Sequence, residues 1–205
     1  MTWSNAPEFA AGKMPTQLRN VSVNVNGKPG YVYYISDNQI NVMTPLDDAQ
    51  GQVPIVVTNG TIASAAFTAT MRPTAPSFLL VGASKYVVAT HANGSLLGPT
   101  SLSVPGYTFT PAQPGETVVL YAVGFGLPGT TIVEGSSTQL GTLPSLPTIQ
   151  IGGSAAAVQF AGVISPGLYQ LNVVVPPAAA TGDNAMTASY GTVATPTGSL
   201  IAVQR

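Results

Sequence analysis

The feature that most constrains this chain is a stretch that occurs twice. Gln39-Ile40-Asn41-Val42, followed by Pro45, Gly51, Gly60 and Thr61, returns as Gln170-Leu171-Asn172-Val173, followed by Pro176, Gly182, Gly191 and Thr192, at a constant offset of 131. Across residues 39–63 and 170–194, 9 of 25 positions are identical, where this composition gives about two by chance. A recurring short apolar strand, a proline break and a glycine turn imply two copies of one structural unit. Asn41 and Asn172 are expected to hydrogen-bond the neighbouring loop and hold the strand where it leaves its sheet.

The rest of the chain reads as strands. Val21, Val23 and Val25 alternate with Ser22, Asn24 and Asn26, the period of a half-buried strand. Asn26-Gly27 tolerates positive φ and turns the chain into Tyr31 to Ile35. A strand around Ile40 and Val42 follows, then a loop through Gly51, Val53 to Thr58, an Asn59-Gly60 turn, and Thr61 to Met71. Arg72 to Pro76 carries two prolines and reads as a linker. Beyond it come Phe78 to Val81, Lys85 to Thr90 with an Asn93-Gly94 turn, and Thr117 to Val123. That last run is almost continuously apolar, as for a central strand covered on both sides. Ile149 to Ile151, Gly152-Gly153 and Val158 to Ala161 repeat the first hairpin, and Leu168 to Val175, Met186 to Tyr190 and Leu200 to Val203 complete the second copy. The expected fold is all-β, two tandem β-sandwich domains over residues 1–71 and 77–205, joined by the linker 72–76, with no helix.

The copies differ in one respect. The second has the strand Thr117 to Val123, ending in Gly124-Phe125-Gly126, ahead of its hairpin, and the first has no equivalent beyond Thr2-Trp3. The first domain is therefore expected to lack its first strand, either as a piece of a longer protein or because a neighbouring subunit donates one to the open edge.

Composition excludes several functions. Charged residues are 6 % of the chain, against roughly 25 % in ordinary globular proteins, and six Lys and Arg without a patch make nucleic acid a poor partner. There is no cysteine for disulfide or thiolate chemistry, and the longest apolar run, Thr117 to Leu127, is too short to span a membrane. The single His91, beside a turn, cannot build a zinc site without further strong ligands. No nucleophile elbow, metalloprotease helix or phosphate loop occurs. Asp47 and Asp48 are the sole weak candidates for a metal site, a calcium loop. No cofactor and no catalytic residues are expected, and the chain reads as a non-enzyme. Tyr31 and Tyr33 share a strand face and are candidates for stacking on sugar rings. Trp3 and Phe9 lie in a segment without an evident core and are candidates for a protein interface.

Four segments carry a resemblance: PGETVVLYAVGFG (114–126), TIQIGGSAAAVQFAG (148–162), GLYQLNVVVP (167–176) and HANGSLLGP (91–99). They resemble an uncharacterised C-terminal domain family abundant in large secreted proteins of acidobacteria. Each half is also similar to the immunoglobulin-like IPT/TIG fold, through its Gly-Phe-Gly turn, Gly-Gly hairpin and Gln-x-Asn-Val-x-x-Pro segment. The resemblance implies a tandem immunoglobulin-like architecture, an extracellular or cell-surface location and no established activity. The expected function is a structural or adhesion module. The alternatives are a filament subunit assembled by strand donation at domain one, and a carbohydrate-binding module facing a cell-surface glycan.

Overall fold

The computed structural model describes all residues, Met1–Arg205. The chain is all-β, with strands in several sheets and only two short 3-10 turns, Trp3–Asn5 and Thr100–Leu102. It divides into two compact units. Unit 1 comprises Met1–Pro73 and Thr131–Gln139, and unit 2 comprises Thr74–Thr130 and Leu140–Arg205.

In unit 1 the principal strands are β1 (Val21–Val25), β2 (Tyr31–Ile35), β3 (Ile40–Met43), β4 (Gly51–Asn59) and β5 (Phe67–Met71). Asn26 and Gly27 both take positive φ, 52° and 80°, the tight hairpin geometry that side-chain-bearing residues other than Asn and Asp resist. After that turn Lys28–Pro29 pairs back on β1, and at Gly30 the chain leaves this sheet to enter β2. A Cβ on Gly30 would lie 2.6 Å from the Val42 side chain, so only glycine lets the chain cross there. β1, β4 and β5 form the larger sheet, and β2 pairs with β3 alone in a two-stranded one. Val23, Val25 and Val53 are buried, and Leu18 and Val32 have no exposure at all.

Unit 2 contains β6 (Ala89–His91), β7 (Thr117–Val123), β8 (Thr148–Ile151), β9 (Ser154–Ser165), β10 (Leu168–Val174), β11 (Gly182–Tyr190) and β12 (Ser199–Val203). β9 pairs with β8 over its first residues and with β10 from Ala157 onward, so one strand belongs to two layers. β7 lies between β10 on one side and β6 with Ser77–Phe78 on the other. The layers meet over one core. Val118, Leu120, Leu171 and Val173 from one layer and Ile149, Ile151, Met186 and Ile201 from the other are each at most 1 % exposed. Burial of each such side chain is worth about 1.5–3 kcal/mol, so this core dominates the stability of the unit.

Several elements differ from the sequence reading. Gly51 opens β4 instead of sitting in a loop, because its φ of 93° lets the strand begin directly after the turn. Thr61 to Met71 is interrupted: Ile62–Ala63 and β5 are separate and solvent-facing, with Ile62 76 % and Phe67 69 % exposed. Lys85 to Thr90 contracts to β6, and β9 is far longer than Val158 to Ala161. β7 is fully buried on one face only, since Val118, Leu120 and Ala122 alternate with half-buried Val119 and Tyr121.

Candidate functional site

The repeat in sequence is a repeat in backbone pairing. Val23 pairs with Val57 and Val25 with Ile55, as Ile149 pairs with Ala188 and Ile151 with Met186. Even an irregularity recurs: β2 bulges at Tyr33 opposite Val42 and Asn41, and β9 bulges at Gln159 opposite Val173 and Asn172. The Gln and Asn of the signature sit two apart on one strand face and bond each other. Gln39 Nε2 donates to Asn41 Oδ1 at 2.7 Å, and Gln170 Nε2 donates to Asn172 Oδ1 at 2.8 Å. This replaces the expected bond to a neighbouring loop, because the period of a strand already brings the two side chains together. Pro45 and Pro176 are both buried after the strand, and Gly60 and Gly191 both turn with positive φ, 62° and 59°.

Against this match, one edge stands out. β10 is paired on both sides, with β9 and with β7. Its counterpart β3 is paired with β2 only. The Gln39 carbonyl accepts from Ser36 N–H inside the β2–β3 hairpin, so strand alternation points the N–H and C=O of Ile40 and Val42 at the open edge. The side chains register the same vacancy. Leu171 and Val173 are fully buried, while Ile40 and Val42 are only half-buried.

A cavity of about 810 Å³ continues from that edge, lined among others by Ile35, Asn38, Gln39, Ile40, Val57 and Asn59. Its place has a filled counterpart in unit 2. There Phe125, with no exposed surface, packs with ring centroids 5.8 Å from Tyr169 and 6.0 Å from Tyr190. At the repeat offset, Tyr169 and Tyr190 correspond to Asn38 and Asn59, two of the cavity's own walls. Gly124 and Gly126 aim the ring inward with φ of 78° and 89°. A Cβ on Gly124 would lie 2.0 Å from the Ala75 carbonyl oxygen, so the Gly-Phe-Gly turn accepts no side chain there. The Tyr169 hydroxyl donates to the Gly126 carbonyl, and burial, with the neighbouring Tyr190, pushes its pKa up to about 12.

The remaining candidates are placed elsewhere. Trp3 packs on Phe9 at 4.8 Å and on Tyr33 at 5.9 Å, both edge-on, giving one aromatic cluster on unit 1. Tyr31 lies apart from it, its ring so close to Gly135 that a Cβ there would be 2.5 Å away. Tyr31 and Tyr33 thus pack against different neighbours, Gly135 and Trp3. Asp47 accepts from Asn26 Nδ2 and from Ala49 N–H, with Lys28 Nζ at 3.5 Å. Those hydrogen bonds hold its carboxyl below the usual range. No group of three or more His, Cys, Asp or Glu side chains lies in metal-binding reach, around Asp48 or elsewhere.

One polar cluster escaped the sequence. His91 Nδ1 lies 2.5 Å from Glu116 Oε1, and its Nε2 lies 2.9 Å from Thr110 Oγ1 and 3.2 Å from the Thr110 carbonyl. These residues border a shallow 400 Å³ depression with Asn93 and Ser95. A hydroxyl, an imidazole and a carboxylate in line is the connectivity of an activated nucleophile. Here, however, the ring joins β6, Phe109–Thr110 and the start of β7, and Glu116 also accepts from the Gln113 N–H. The Thr110 carbonyl can only accept, from Nε2–H, and that bond ties the ring into the sheet. No family model matches the chain, and neither does any curated protein or solved structure.

Proposed function

We propose that the chain is a non-enzymatic attachment module of two tandem immunoglobulin-like β-sandwiches, working outside the cell, that joins its partner through unit 1. The repeated pairing pattern supports the tandem reading, with a hairpin strand in each unit that passes from one sheet to the other. A surface drawn from Thr, Ser, Asn and Gln, with 6 % charged residues, suits non-covalent association with little electrostatic steering.

The observation that carries the proposal is the unpaired edge of β3, whose counterpart β10 is paired on both sides. An exposed apolar strand edge is a template for strand addition, where main-chain hydrogen bonds supply affinity and alternate side chains supply specificity. Hydrogen exchange on the isolated chain tests it. Ile40 and Val42 amides should exchange orders of magnitude faster than those of Leu171 and Val173. Equal protection at both pairs, unchanged on dilution, would mean the edge is closed and the module joins nothing there.

A filament of like copies draws less support, because each long strand of the needed pattern is already paired inside the chain. A carbohydrate role for Tyr31 and Tyr33 draws less still, since the rings pack separately on Gly135 and Trp3.

A further inference from the structure

We infer that the edge of β3 and the cavity beyond it form a single binding site for an extended apolar peptide strand that ends in a Gly-aromatic-Gly turn, the aromatic ring seating in the cavity. The inference rests on the attachment reading and specifies its occupant. Unit 2 carries the occupied form of the same site. There β7 runs antiparallel along β10 with Val118 opposite Val173 and Leu120 opposite Leu171, and the chain then delivers Phe125 between Tyr169 and Tyr190. Transferred to unit 1, the pattern defines the register. The bound strand runs antiparallel to β3, one apolar residue opposite Val42, the next but one opposite Ile40, and the aromatic five positions further on. Glycines flank that aromatic, because the turn at Gly124 and Gly126 needs positive φ.

The cavity also sets the size of the ring. Asn38 and Asn59 stand where unit 2 has two tyrosines, so the space is wider than the one that holds Phe125, and a ring as large as Trp fits. Their amides and Arg19 at the rim offer polar partners that the tyrosines of unit 2 do not. The occupant is not the matching strand of a second copy of this chain. β7, the one strand here that ends in this turn, is hydrogen-bonded on both edges and fully buried on one face.

The test uses the full chain and a fluorescently labelled synthetic peptide of the sequence PGETVVLYAVGFG, that of Pro114–Gly126. The expected result is saturable one-to-one binding, with slowed exchange at the Ile40 and Val42 amides. Phe125→Ser in the peptide should weaken binding roughly tenfold or more, the loss of one buried aromatic contact. Val42→Pro in the chain removes an outward N–H that β2 does not use, and should abolish binding. Asn59→Trp, at the exposed end of β4, should fill the cavity and compete with the peptide ring.

Equal binding of the Phe and Ser peptides, with protection still at Ile40 and Val42, would overturn the ring-in-cavity assignment and leave the strand-accepting edge standing. No peptide binding and no protection would overturn both. Protection of those amides by the chain alone, growing with its concentration alongside dimers in sedimentation, would give the site to a second copy.

Discussion

Phe125 is the residue on which the comparison of the two units turns. It has no exposed surface and closes the end of the unit 2 core against Tyr169 and Tyr190. Phe125→Ala should destabilise unit 2 by about 3–5 kcal/mol, the range for emptying a buried aromatic site, read as a lower midpoint in denaturant. A loss below about 1 kcal/mol would mean the ring is not the plug its burial indicates. Tyr169 makes a second prediction. Its folded pKa is raised to about 12, against about 10 in an unfolded chain. The native state therefore keeps a proton that the unfolded state has lost. Its contribution is complete below about pH 10 and is lost as the pH rises toward 12. Tyr31 and Tyr86 are also shifted upward, so the effect is read as a difference. Wild type should lose about 2–3 kcal/mol more than Tyr169→Phe between those pH values, and parallel curves would dismiss the shift.

At the scale of elements, much was legible and the reasons are local. Strand β1 announces itself by Val-x-Val-x-Val alternation, its turn by Asn26-Gly27, and the pairing of the units by a signature that includes a buried proline. The ends of strands were not legible, because Gly51 can open a strand as readily as interrupt one and only its neighbours decide. His91 and Glu116 are 25 residues apart and meet through the pairing of His91 with Val118, a register no local pattern reveals. Least legible was Thr131–Gln139, which belongs to unit 1 although its flanks belong to unit 2. Its ties are backbone and side chain alike: Met14 N–H donates to the Gly135 carbonyl, Leu46 N–H donates to Glu134, and Gly135, at φ 73°, fits against the Tyr31 ring. Gly135→Ala should therefore lower the stability of unit 1 by about 1–3 kcal/mol through strain and contact with Tyr31. Amide exchange should quicken around Met14 and Leu46 and stay unchanged in β7 and β10. Faster exchange in β7 would assign the segment to the other core.

The whole molecule presents two versions of one design at different degrees of completion. Unit 2 closes its sheet with β7 and its end with Phe125, over a core in which both layers contribute fully buried side chains. Unit 1 has the same bulge and matching turns, but β3 is paired on one side only, with half-buried Ile40 and Val42 where unit 2 has fully buried Leu171 and Val173. Two cores of unequal size should not melt as one. Calorimetry is expected to resolve two transitions, the lower belonging to unit 1 and moved by Gly135→Ala, the upper belonging to unit 2 and moved by Phe125→Ala. Because a ligand stabilises only the state that binds it, the peptide PGETVVLYAVGFG at about 100 times its Kd should raise unit 1 by about 2.7 kcal/mol and leave unit 2 unmoved. A peptide that raises the upper transition instead would be exchanging with β7 in unit 2. A single transition, moved alike by Gly135→Ala and Phe125→Ala, would mean that the two units unfold as one.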